Sequence, residues 1–143
     1  MVRSLRRTAR SERGQALVEF AIVFPLLMLL VIGIIEFGRA WNAHQVVTDA
    51  AREGARRAVI NSSTITQDSV TDRIREYIGL AGFDGGLASI TYPDGFKTGS
   101  GNPTAVRIEF PYQFVFLRPL IDAALGTSNG VVTLATEARM RNE

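Results

Sequence analysis

Cysteine is absent from this 143-residue sequence, and His44 is its one histidine. The first absence excludes a disulfide framework and any thiolate metal site. The second excludes histidine dyads and multi-histidine metal centres. His44 falls within a helical stretch, where it reads as a solvated or interfacial residue. No phosphate-binding P-loop, dinucleotide fingerprint or G-x-S-x-G nucleophile elbow occurs. The G-x-G within TGSGNP, residues 98–103, ends in a proline with no helical pattern behind it and reads as a flexible turn. Asp49 and Glu53 stand four apart on one helical face, yet their arginine neighbours make them a charged surface rather than an acid–base pair. Asp84 and Asp94 fall in turns, where aspartate is favoured for its backbone hydrogen bonding. These residues make no case for an enzyme and call for no metal and no cofactor.

Charge is unevenly distributed. The formal net charge is +2. Arg3, Arg6, Arg7, Arg10 and Arg13 crowd the amino terminus, opposed there by Glu12. With that leader set aside, acidic residues outnumber basic ones. The basicity is therefore a property of the leader and not of a nucleic-acid-binding surface.

Residues 16–35 are apolar or small except for one ionisable side chain, Glu19. About 20 such residues are needed to carry a helix across the hydrocarbon of a bilayer. Pro25 lies inside the run and is expected to kink or loosen the helix, which membrane helices tolerate. The flanking arginines place the amino terminus in the cytoplasm and send the rest of the chain across. A secretory signal peptide has an apolar core of about 7–15 residues followed by a small-residue cut. Here the core is longer, and helical patterning continues through the weak candidate cut at Gly38, Arg39 and Ala40.

Past the apolar run, Ala43, Val46, Val47, Ala50, Ala51, Gly54, Ala55 and Ala58 follow one face of a 3.6-residue repeat. Asp49, Arg52, Glu53, Arg56 and Arg57 lie opposite, with Glu53 placed to pair with Arg56 and Arg57. A helix over residues 17–59 would be about 65 Å long at ~1.5 Å per residue. Ala50, Gly54 and Ala58 form a narrow stripe that allows close packing. That stripe is expected to meet the chain's own domain, and the membrane half to meet neighbouring helices.

Residues 61–69 read as a polar break, followed by a short amphipathic helix with Val70, Ile74, Tyr77 and Ile78 on one side. Glycines in residues 79–86 end it. Three strands are expected: residues 87–92, residues 106–116 with apolar side chains at even positions, and residues 131–141. Pro111 should bend the second strand or mark an edge. Between the second and third strands, Pro119 opens and Gly126 closes a short helix. The fold class is α+β and pilin-like: a long amino-terminal transmembrane and amphipathic helix, then a small antiparallel sheet of about three strands with short helices.

The junction between leader and apolar run reads Arg13, Gly14, Gln15, Ala16, Leu17, Val18, Glu19, Phe20. It resembles the processing site of type IV prepilins and pseudopilins, closest to the Flp/Tad branch. Residues 18–41 and 46–59, and more weakly the carboxyl-terminal EARMRNE, resemble the TadE-like family of Tad pilus-assembly proteins. The resemblance implies cleavage between Gly14 and Gln15 by a prepilin peptidase. It also implies a charge-matching role in assembly for Glu19, with Phe20 beside it. It further implies a minor pilin or pseudopilin, single-pass in a bacterial inner membrane or incorporated into a pilus. Its partners would be other pilins or pseudopilins, Tad inner-membrane components and the bilayer, with no nucleic acid. The expected organisation is a cleaved leader at 1–14, a transmembrane helix at 15–36, its amphipathic continuation at 37–60 and an exported domain at 61–143. The alternative is an uncleaved single-pass membrane protein whose exported domain binds a ligand or surface component through Arg107, Glu109 and the aromatics near Phe114.

Overall fold

The computed structural model describes the backbone of residues 5–97, 99 and 101–142, and the side chains among them from residue 14 onward. Arg3, the side chains of the other leader residues, and Thr98 and Ser100 of the glycine-rich turn lie outside the described residues. With its glycines isolated and a single proline, one helix, α1, runs over Leu5–Ala58. Its 54 residues span about 80 Å. The helix is continuous through Pro25.

After the polar break, α2 covers Gln67–Leu80. Thr66 starts it by a reciprocal capping box: its hydroxyl accepts the Ser69 N–H at 3.2 Å, and the Ser69 hydroxyl accepts the Thr66 N–H at 3.0 Å. Val70, Ile74 and Ile78 are buried, each contributing about 1.5–3 kcal/mol by removal from water. Tyr77 is half-buried on the same side.

The sheet is antiparallel, in the order β1 (Ser89–Thr91), β2 (Pro103–Gln113) and β3 (Val131–Arg141). Strands β2 and β3 pair along their whole length, from Pro103 opposite Arg141 to Gln113 opposite Val131. Between them α3 covers Arg118–Leu125 and ends on Gly126 at φ 65°, a left-handed conformation that glycine adopts without Cβ strain.

The first two strands differ from the expected ones at both ends: β1 covers 89–91 rather than 87–92, and β2 covers 103–113 rather than 106–116. The first strand is shorter, because residues 85–87 are drawn into a 3-10 turn capped by the Asp84 carboxylate, which accepts the Gly86 N–H at 2.9 Å. The second ends at Gln113, so Phe114 and Phe116 leave the ladder although the alternating pattern runs through them. Pro111 lies in the central strand. Strand β1 pairs only with residues 107–109 of β2, so at Pro111 the strand has β3 alone as neighbour. Its missing N–H therefore breaks no three-strand ladder.

One sheet face carries Val106, Ile108, Phe110 and Tyr112, with Leu134, Ala138 and Met140 from β3. The carboxyl-terminal half of α1 and α2 cover it. The other face is polar: Arg107 pairs with Glu109 at 2.9 Å and Arg139 with Glu137 at 2.7 Å. The far end of the β2–β3 hairpin is tied by buried Thr104, whose hydroxyl donates to the Asn142 side-chain oxygen at 3.1 Å.

At Gly54, α1 comes close to α2, with the sheet just beyond at Val106 Cγ1, 3.6 Å from the Cβ position. A Cβ there would stand 2.5 Å from Ile74 Cδ1 and 2.8 Å from Ile74 Cγ1, and Ile74 is itself fully buried. Gly38, by contrast, has nothing within 4 Å of such a Cβ. Gly54→Leu is therefore expected to destabilise the fold by about 1–3 kcal/mol or more through overpacking. Gly38→Ala should be neutral or stabilising by up to ~1 kcal/mol. Thermal unfolding of the full chain in detergent micelles measures both; equal behaviour of the two variants contradicts the packing argument.

Candidate functional site

Two surroundings meet along α1. From Gly14 to Ile35 nearly every side chain is exposed, including Leu17, Ile22, Leu26 and Ile34 at about two-thirds of their area. The helix over Gly14–Ala58 is long and apolar enough to cross a membrane. From Ala40 onward one face is buried: Ala43, Ala50, Ala51, Ala55 and Ala58 are inaccessible, with Val47 among them.

The candidate processing residues all lie on the exposed half. Gly14 has nothing within 4 Å of its Cβ position, so its backbone is open on that side. Gln15 and Glu19 are four apart on α1 and both exposed, which places them on one face a turn apart. The Phe20 ring lies tilted against that of Phe24, with centroids 5.2 Å apart. The small residues Ala50, Gly54 and Ala58 are buried in the domain's core, more than five helical turns from Glu19 by any path along α1. The two sets share a helix and nothing else.

On the solvent side of the domain half, Arg56 donates to both Glu53 carboxylate oxygens at 2.9 Å, and Arg57 donates at 3.4 Å. The Arg56 hydrogen bonds, with Arg57 adding to them, hold the Glu53 carboxyl below its ordinary value. A carboxylate depressed in this way supports the fold at neutral pH. The support is lost as the pH falls through its lowered folded-state value. The exposed arginines keep this contribution small.

Glu36 is the residue that sequence patterning does not single out. It stands where the apolar run ends, yet is only 1% exposed. Its two carboxylate oxygens accept the backbone N–H of Val115 at 2.8 Å and of Leu117 at 2.7 Å. Leu117 is the residue before α3 and offers no side-chain cap. Glu36 supplies negative charge there from another element, at the helix end where the macrodipole favours it. Its partners lie 79 and 81 residues away along the chain. The only local signal is an acidic residue closing an apolar run.

Arg107, Glu109 and Phe114 do not converge. The first two pair with each other on the polar sheet face. Phe114 packs at 5.2 Å on Tyr112, among residues that face α1. Among the described residues there is no group of three or more histidine, cysteine, aspartate or glutamate side chains able to hold a metal ion.

The model of the family described as TadE-like protein matches residues 14–56. That is α1 from the candidate cleavage glycine almost to the helix end, and it agrees with the resemblance carried by those residues. No curated protein and no solved structure matches the chain.

Removing the Glu36 carboxylate leaves two backbone donors without their charged acceptor, each such bond being worth about 1.5–3 kcal/mol. Glu36→Ala is expected to accelerate hydrogen exchange at the Val115 and Leu117 amides while the β2–β3 ladder keeps its protection. Unchanged exchange at both amides would show that the carboxylate does not hold this corner.

Proposed function

We propose that this protein is a pseudopilin of a Tad-type, type IVb-like pilus or secretion apparatus, anchored in the bacterial inner membrane by α1. The observation that carries the reading is the TadE-like match over residues 14–56, on a helix whose first half is apolar and exposed and whose second half is the backbone of a small α+β domain. The amino terminus lies in the cytoplasm, as the leader arginines favour, and the domain lies across the membrane.

A prepilin peptidase hydrolyses the Gly14–Gln15 peptide bond and releases the basic leader. The exposure of Gly14 is compatible with such access. Hydrolysis leaves a new α-amino group on Gln15, mostly protonated at neutral pH. Glu19, one turn along α1, offsets that charge in its own subunit or in a neighbour. A carboxylate at the bilayer centre costs ~2.5–3.5 kcal/mol on insertion scales; near the start of the span the cost is smaller. Assembly brings the exposed halves of α1 from several subunits together. The stripe Leu30, Gly33, Ile34, Phe37, Gly38 and Trp41 forms an open apolar groove, and Gly38, with nothing within 4 Å of its Cβ position, lets another helix approach closely. Other pilins and Tad inner-membrane components are the partners.

Co-expression of the full chain with and without a competent prepilin peptidase tests the cleavage. Intact mass and amino-terminal sequencing should show a mature start at Gln15 only when the peptidase is present. An untouched leader in its presence contradicts the proposal. Glu19→Ala should be cleaved and inserted as the parent is, yet recovered in the assembled fraction at a small part of the parent level. Normal assembly would remove the role given to Glu19.

A further inference from the structure

The β2–α3 corner of the domain lies beside the end of the apolar half of α1. Strand β2 runs antiparallel to α1: Val106 is beside Gly54, Tyr112 is beside Ala40 and Ala43, and the corner after Gln113 reaches Glu36. Leu117 goes further, its Cδ1 lying 4.0 Å from the Cβ position of Gly33. Gly33 is three residues inside the expected span of 15–36, about 5 Å along the helix axis. The Leu117 side chain therefore passes the level at which α1 leaves the apolar layer, while the backbone at this corner meets the Glu36 carboxylate.

The side chains there are those of a surface that meets hydrocarbon. Val115, Phe116, Leu120 and Leu125 are each exposed over more than half their area. The corner meets α1 at Gly33 and Glu36, and Ile34 and Phe37 in the same turn of α1 are likewise exposed. A corner immersed in lipid must have its backbone polar groups satisfied internally. Phe114 N–H donates to the Gly130 carbonyl at 2.8 Å, and Val115 and Leu117 donate to Glu36. Ile121 N–H reaches the Leu117 carbonyl at 2.9 Å. The rim is polar and aromatic: exposed Arg118 donates to the Asn129 side-chain oxygen at 2.6 Å, and Phe37 stacks on Trp41 at 6.4 Å. Tryptophan and arginine at that level are the side chains that prefer the headgroup region.

We infer that the corner formed by residues 114–117 and α3 is seated in the interfacial layer of the bilayer on the domain's side, as a second membrane contact beside the span. The inference rests on reading α1 as a membrane helix. Glu36 holds the corner to α1 at the required depth, so the domain is fixed to the membrane at two points and cannot swing about the helix exit. The expected depth is that of an interfacial amphipathic segment, about 5–10 Å below the headgroup boundary. A second copy of the chain is the competing occupant. The lipid fits better because the exposed apolar corner lies at the level of the last turn of the exposed span, where Leu117 meets Gly33.

The test uses the full chain reconstituted in phospholipid vesicles containing nitroxide-labelled lipids. Trp41 is the only tryptophan, so a Trp41→Phe background leaves a single probe in each variant. Phe116→Trp, with Leu120→Trp as a second position, reports the corner, and Leu27→Trp reports the span. The corner probes are expected to lose most of their fluorescence to labels just below the glycerol and little to aqueous iodide. Leu27→Trp should respond to labels deep in the acyl chains. Quenching of the corner probes by iodide rather than lipid, with Leu27→Trp still quenched from the acyl chains, overturns the inference and leaves the span reading standing. Corner probes reached by neither quencher place a second copy over them and overturn it too. A Leu27→Trp probe that no lipid label reaches overturns the span reading, and the inference falls with it.

Discussion

The close approach of α1 to the sheet and to α2, through a helix face made of alanine and glycine, is the contact on which the remainder of the structure depends. Ala43, Ala50, Ala51, Gly54, Ala55 and Ala58 place almost no side-chain volume between the helix backbone and its neighbours. The bulk at that interface comes from the other partners, Ile74, Ile78, Val106, Ile108 and Phe110. A chain of this size can bury only a small core. It does so here by laying larger side chains from α2 and β2 against a nearly smooth helix. The same helix continues without a break into the exposed apolar half, so whatever orients the domain also orients the anchor.

Continuity of α1 explains why Glu36 matters. A helix leaving an apolar layer and entering a packed domain needs its exit defined, and a flexible joint would leave the two halves uncoupled. The carboxylate takes two backbone donors from the corner ahead of α3 and so ties the membrane-proximal end of the sheet to the exit itself. Charge-assisted bonds to backbone N–H groups are strong where water is excluded, and at 1% exposure this carboxylate has lost its access to water. The proposed charge pairing of Glu19 belongs to the opposite end of the apolar run. One carboxylate would match a charge made by processing, and the other matches backbone donors made by folding.

Much of the architecture was legible because its signals are periodic and local. The 3.6-residue pattern on residues 43–58 marks the face that is buried, and the alternation in β2 and β3 marks which side of each strand is covered. Thr66, Pro119 and Gly126 punctuate α2 and α3 through backbone chemistry that depends only on neighbours a few residues away. The same reasoning failed where periodicity outlasted the element. Phe114 and Phe116 continue the even-numbered apolar series, yet the strand stops at Gln113 because the corner is pulled toward Glu36. At residues 85–87 the Asp84 cap wins over strand pairing.

The sequence alone determined a basic leader, an apolar helix of membrane length, an amphipathic continuation and an alternating sheet, since each follows from the order of polar and apolar residues over a few turns. Its G-x-x-x-x-E junction and the helix that follows also determined the TadE-like resemblance that the family model matches. Tertiary structure alone decided that β2 runs back down α1 toward the span. It also decided that Leu117 reaches Gly33 and that the Glu36 carboxylate closes the junction. Those pairings join residues some eighty positions apart. Their energy comes from desolvated donors and acceptors meeting in space, which no local pattern of residues encodes.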